Sequence, residues 1–161
     1  MAEQGHAHAQ FMLGYYHYTG EGAEQSYRKA IKWLTPSAEQ GHPEAQYMLG
    51  YCYYYGDGVK VDYKEAIKWL TQSANQNHMI AQFMLGVCYD KGNGVEQDYK
   101  EAVKWYTLSA NQGYAIAQSN LGHSYFDGEG IEQNYTEAVK WYTKAAEQGD
   151  EQAIQNLSKM K

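Results

Sequence analysis

At 161 residues and a formal net charge of −6, the chain can bury a domain-sized core but lacks the clustered Lys and Arg that grip nucleic-acid phosphates. Apolar residues make up 43% with only two prolines, which excludes a disordered chain, and no apolar run nears the roughly 18 residues a membrane span needs. Cys52 and Cys88 are too few for a disulfide framework, whereas 17 tyrosines and four tryptophans supply apolar bodies with polar tips, the side chains of grooves and interfaces.

In chain order, the first segment reads as the end of something. Ala2-Glu3-Gln4-Gly5 matches Ala38-Glu39-Gln40-Gly41 and Ala146-Glu147-Gln148-Gly149, which close a helix. The chain is therefore expected to be a fragment of a longer protein, beginning on the tail of a repeat, with any upstream targeting signal out of view. From Ala9 onward the chain matches itself at a shift of 36 residues without a gap, in the columns Ala9/Ala45/Ala81/Ala117 and Leu13/Leu49/Leu85/Leu121. A Gly-x-Gly column (Gly56 and Gly58 in the second copy) and the tryptophans Trp33, Trp69, Trp105 and Trp141 keep the same step. The copies fall at about 6–41, 42–77, 78–113 and 114–149 within a single array covering 1–161.

Each copy predicts two helices. In the second, helix A runs from Pro43, a residue suited to a first helical position, to Tyr55. Gly56 and Gly58 turn the chain, and helix B runs from an Asp62 cap to Gln76, with Ala66, Ile67, Trp69, Leu70 and Ala74 at helical spacing. One such pair cannot cover its own apolar face, so neighbouring copies must stack. Gly14, Gly50, Gly86 and Gly122 sit inside helix A, where glycine costs about 1 kcal/mol relative to alanine, so another helix is expected to approach closely there. Pro36 falls inside the first helix B and is expected to kink or weaken it. Asn77 replaces a closing glycine and tolerates a left-handed backbone, and His17 replaces a recurring tyrosine. The chain finishes with a predicted capping helix over about 150–160, whose apolar stripe is Ala153, Ile154 and Leu157.

The run Ala-x-x-x-Leu-Gly, Gly-x-Gly-Val, Tyr-Lys-Glu-Ala-x-Lys-Trp and Ser-Ala-x-Gln, as at Ala45 to Gln76, resembles the Sel-one-like repeat family over residues 9–157. This family is a subclass of tetratricopeptide-like helical repeats. The resemblance implies an all-α, right-handed superhelical solenoid of four helix-turn-helix repeats plus the capping helix, with helix A on the concave side. It further implies a non-enzymatic adaptor or scaffold binding a protein or peptide, often in bacterial signalling or host interaction. Cytoplasm, periplasm and secretion all stay open.

On a helical wheel, helix A separates the recurring Ala, Leu and Gly columns from an opposite arc that varies among copies. By analogy with tetratricopeptide grooves, the partner-binding candidates on that arc are Phe11, Tyr15 and Tyr18; Tyr47, Tyr51, Tyr54 and Tyr55; Val87 and Lys91; and His123 and Phe126. Rigid aromatic rings anchor a peptide with little loss of rotamer entropy. The alternative is that many of these rings pack between repeats, with Phe11, Phe83 and the Met12/Met48/Met84 column assigned to the core. Lys91 is the sole cation on the arc, so an acidic peptide tail is a poor ligand and an extended apolar or aromatic segment a better one.

Other chemistry is weaker. Ser26-Tyr27-Arg28-Lys29 fits the Ser-x-x-Lys spacing of penicillin-recognising enzymes, and some relatives in the family have been linked to β-lactam binding, which keeps a β-lactam-binding or hydrolase activity as the alternative function. No Lys-Thr-Gly or Lys-Ser-Gly box accompanies it, and a helix cap explains Ser26. His6, His42 and His78 share a column, but helix diameters of about 10 Å keep consecutive repeats too far apart for one ion, so they read as solvated helix starts. No metal site or cofactor is expected, and both cysteines are expected to be buried free thiols. Lys68, Lys104 and Lys140 follow Glu65, Glu101 and Glu137 at i,i+3 and predict solvated ion pairs. Self-association through an uncovered N-terminal stacking face is a further open possibility.

Overall fold

The computed structural model describes residues 2–160, with side chains from His6 onward. Among the described residues the chain is all helix and turn: α1 (Ala2–Thr19), α2 (Tyr27–Glu39), α3 (Pro43–Tyr55), α4 (Tyr63–Asn75), α5 (Met79–Lys91), α6 (Tyr99–Asn111), α7 (Ala115–Asp127), α8 (Tyr135–Glu147) and α9 (Glu151–Lys159). Odd-numbered helices α1 to α7 are the A helices and α2 to α8 the B helices, while α9 is the expected cap. The chain divides into two compact units, Met1–Ala81 and Gln82–Lys161.

The helix boundaries follow local chemistry. Ser26, Asp62, Asp98 and Asn134 cap the four B helices, each accepting a backbone N–H from the first turn. Gly56 and Gly128 end α3 and α7 in the left-handed conformation. Asn77 takes φ +67°, as the sequence led us to expect. The anticipated disruption at Pro36 is corrected: α2 continues through it to Glu39, the same 13 residues as the other B helices. Its carbonyl accepts the Gln40 amide side chain at 2.8 Å, which helps hold the final turn.

In the first unit, the core gathers Ala30, Leu34, Ala38, Ala45, Leu49, Cys52 and Trp69, with Phe11, Tyr18 and Met48 packed on its margin. A Cβ on Gly50 would lie 2.8 Å from Leu70 Cγ, so the missing side chain lets α3 and α4 approach, as expected. In the second unit, Ala102, Val103, Tyr106, Ala110, Ala117, Leu121 and Trp141 form one cluster, and Ala138, Tyr142, Ala145 and Ala153 another beneath the cap. Here a Cβ on Gly86 would meet the Tyr106 ring at 2.5 Å and one on Gly122 the Tyr142 ring at 2.8 Å. In the first unit Leu49 is 1% exposed and Leu13 41%, and in the second Leu85 and Leu121 are each 1% exposed. In the cap, Ala153 is buried and Leu157 half-buried, but Ile154 faces solvent, so the predicted apolar stripe is narrower than its sequence.

A polar lock recurs that the sequence reading missed. In each repeat a glutamine ending helix B donates its amide to one on helix A: Gln40 to Gln10, Gln76 to Gln46, Gln112 to Gln82 and Gln148 to Gln118, at 2.6–2.8 Å. Gln46 and Gln118 also donate to the Ala38 and Ala110 carbonyls. Buried amides satisfied in this way fix the pitch of one helix against the next. The signal was available, because both glutamine columns repeat at the same period as the tryptophans.

Candidate functional site

In the first unit, α1 and α3 enclose a cavity of about 300 Å³ lined by Tyr15, Tyr18, Thr19, Tyr47, Met48 and Tyr51. Helical spacing explains the set, since Tyr15, Tyr18 and Thr19 lie on one face of α1 and Tyr47, Met48 and Tyr51 on one face of α3. The rings stand on edge to one another: Tyr18 and Tyr51 at 6.3 Å and 88°, Tyr47 and Tyr51 at 6.2 Å and 67°. All four tyrosines are half-buried, and Met48, assigned to the core from sequence, lines the cavity as well as packing on the core.

A polar tie joins α1 to the turn between α3 and α4. The Tyr18 hydroxyl donates to Asp57 Oδ2 at 2.8 Å, placing a carboxylate from the α3–α4 turn behind the cavity wall. Burial, and then the hydrogen bond to Asp57, holds the Tyr18 phenol far above its ordinary range. Burial, then the neighbouring Tyr55, raises Tyr51 as well. Asp57 was not singled out in the sequence, where it is the variable residue of a Gly-x-Gly turn.

The other candidates of this unit are arranged differently. Tyr54 packs against Tyr55 at 4.8 Å and Tyr63 at 5.1 Å, on the helix-B side, while the exposed Tyr55 lies tilted against Tyr51 at 4.4 Å. Phe11 is covered by the His42 ring at 4.7 Å, and Tyr47 is flanked by His78 at the same distance. This corrects the histidine column: His42 and His78 are half-buried caps whose Nδ1 atoms accept the Ala45 and Ala81 N–H groups, stacked on the preceding repeat's ring. Burial lowers the proton affinity of both imidazoles, with Glu44 opposing.

In the second unit the inner positions carry other chemistry. Val87 packs on the core and Lys91 is exposed. His123, exposed, pairs with Asp127 at 3.1 Å. Phe126 meets Tyr135 at 5.3 Å and joins His123, Tyr142, Asn156, Lys159 and Met160 around a cavity of about 290 Å³ under the cap. Tyr142, Asn156 and Met160 were not predicted there, because only folding brings α7, α8 and α9 to one place. Tyr114 takes the place of the capping histidines and stands edge-on to Phe83 at 5.2 Å.

Reactive arrangements do not form around the remaining candidates. Ser26 accepts the Lys29 N–H as a cap, and Lys29 Nζ turns to Glu24 at 3.6 Å. Cys52 and Cys88 are buried free thiols, pushed up to about 12 by desolvation, the wrong direction for a nucleophile. Among the described residues no cluster of three or more His, Cys, Asp or Glu side chains could hold a metal ion, and no helix is long and apolar enough to cross a membrane. Lys68, Lys104 and Lys140 pair with Glu65, Glu101 and Glu137 at 3.1–3.2 Å, and each also lies over the adjacent tryptophan.

Repeated helix pairs with a uniform framework define the class of helical-repeat proteins. The Sel1 repeat matches four times, over residues 7–42, 43–78, 80–114 and 115–150, and the chain belongs to this family. It is similar to the SLR-fold protein c5321 of uropathogenic Escherichia coli, described as a protective antigen, at 42% identity and TM-score 0.93, covering 99% of this chain and 34% of that one. A Sel1 repeat protein from Oxalobacter formigenes is 36% identical with TM-score 0.87, covering 93% of this chain and 60% of that one. The chain thus spans about a third and three-fifths of these two relatives. The cysteine-rich protein B of Helicobacter pylori, 21% identical with TM-score 0.64 over 84% of this chain and 97% of that one, shares the fold. No curated protein matches as a relative. Sel1 repeats are typically non-enzymatic modules that mediate protein–protein interactions.

Proposed function

We propose that the chain is a protein-interaction scaffold that holds an extended peptide segment of its partner on the A-helix wall, with the tyrosine cavity between α1 and α3 as the anchor point. The carrying observation is that cavity: four half-buried rings from two successive A helices surround about 300 Å³ of open space. A purely structural ring would be sealed into the core, as Tyr106 and Tyr142 are. Pre-positioned tyrosines offer large contact area at low entropic cost. Tyr55 flanks the anchor, while His123 and Phe126 form a separate, more polar station in the second unit.

The test is selection of peptides from a displayed random library, followed by affinity measurement of the best binder on variants. Tyr51→Ala and Tyr15→Ala are expected to weaken it at least tenfold with helicity unchanged, whereas Lys104→Ala leaves it unaltered. Equal affinity for Tyr51→Ala and the parent protein removes the cavity from the binding surface.

A further inference from the structure

The tyrosine cavity also carries information about the charge of what it binds. The first unit holds six basic residues, Arg28, Lys29, Lys32, Lys60, Lys64 and Lys68, and none lies on α1 or α3, the two helices that make the cavity. Its charged neighbour is instead a carboxylate, Asp57, held at 2.8 Å by the Tyr18 hydroxyl. A phenol that donates to a carboxylate gains electron density on its ring, so the π face of Tyr18 becomes more negative. The cavity is therefore lined by four tyrosine rings, one of them bonded to a carboxylate, with no lysine or arginine on either helix that makes it.

From this arrangement we infer that the Tyr15, Tyr18, Tyr47 and Tyr51 cavity accepts a cationic side chain, specifically an arginine of the bound peptide, against its tyrosine lining. The inference deepens the peptide-binding reading of the same wall and depends on it. Rings set nearly at right angles, 88° for Tyr18 against Tyr51 and 67° for Tyr47 against Tyr51, form the corner of an aromatic cage. Arginine suits such a corner better than lysine, because its guanidinium is planar, more weakly hydrated and able to stack. About 300 Å³ lies at the lower end of the range of small-molecule sites, room for one long side chain. In the second unit the cavity under the cap is lined by Lys159 and His123, with Asp127 paired to that histidine at 3.1 Å.

The experiment uses the full chain with ¹³C-labelled tyrosine rings, titrated with three capped tripeptides Gly-X-Gly in which X is arginine, citrulline or norleucine. Citrulline keeps the shape of arginine and removes its charge. The arginine peptide is expected to shift the ring signals of Tyr15, Tyr18, Tyr47 and Tyr51 with at least tenfold higher affinity than citrulline, about 1.4 kcal/mol. Asp57→Asn, a turn residue, is expected to shrink that preference while leaving the weak citrulline response unchanged. Equal response to arginine and citrulline, or a stronger one to norleucine, overturns the cationic ligand and leaves the peptide-binding reading standing. Failure of all three peptides to shift any cavity tyrosine removes both.

Discussion

The two units place their tyrosines on opposite sides of the same helix pair. In the first, the residue facing the helix-A glycine is leucine, at Leu34 and Leu70, and tyrosines occupy the inner wall at positions 15, 18, 47 and 51. In the second, that core place is taken by Tyr106 and Tyr142, 2% and 1% exposed, while the inner wall carries Val87, Lys91 and His123. One backbone unit thus serves two ends. Where leucine fills the core, the tyrosines line a cavity; where tyrosine fills it, the ring contributes to stability, and its hydroxyl reaches a polar group, as Tyr142 reaches His123 at 3.5 Å.

The sharpest way to break this comparison is at the glycines. An added Cβ meets a rigid ring in the second unit, at 2.5 Å between Gly86 and Tyr106, and an aliphatic branch in the first, at 2.8 Å between Gly50 and Leu70. Overpacking costs about 1–3 kcal/mol, against which alanine recovers about 1 kcal/mol of helix propensity. Gly86→Ala is therefore expected to lose about 2 kcal/mol and Gly50→Ala about half as much, read from urea denaturation of the full chain. Equal losses would show that both cores yield alike.

Acid should separate the units next. Burial keeps the His42 and His78 imidazoles harder to protonate than in the unfolded chain. As pH falls below the ordinary histidine value of about 6.5, the unfolded chain takes up protons first and stability declines, levelling off once the folded imidazoles protonate too. In the second unit Tyr114 and Asp150 occupy the corresponding helix starts. His42→Asn with His78→Asn, which keeps a capping side chain, is expected to flatten the fall in melting temperature between pH 7 and pH 5. An unchanged slope would place the sensitivity elsewhere. The smallest effect belongs to the outer face common to both units: Lys68→Ala or Lys140→Ala is expected to cost about 0.5 kcal/mol by thermal denaturation, because exposed ion pairs at i,i+3 contribute little.

Much of the fold was legible because period and spacing are local properties. The predicted span of α3, the Asp62 cap, the left-handed Asn77 and the close helix approach at Gly50 all match the structure. Pro36 and the histidine column were misjudged, since each depends on what packs around it. A helix held on its buried face by Leu34, Ser37 and Ala38 tolerates a proline that would break it alone. The histidines turned inward because the preceding repeat offers them a ring.

Sequence alone settled the repeat, its helix pairs and the family, because stacking needs the same small and apolar residues at the same places in every copy. Wheel geometry also marked which positions of helix A vary. Only the tertiary structure decided which of those rings share a space, that Tyr18 reaches across to Asp57, and that Tyr54 and Phe11 turn elsewhere. Those outcomes depend on rotamers and on neighbours 30 to 40 residues away, as in the 39-residue separation of Tyr18 and Asp57, and no local pattern encodes them.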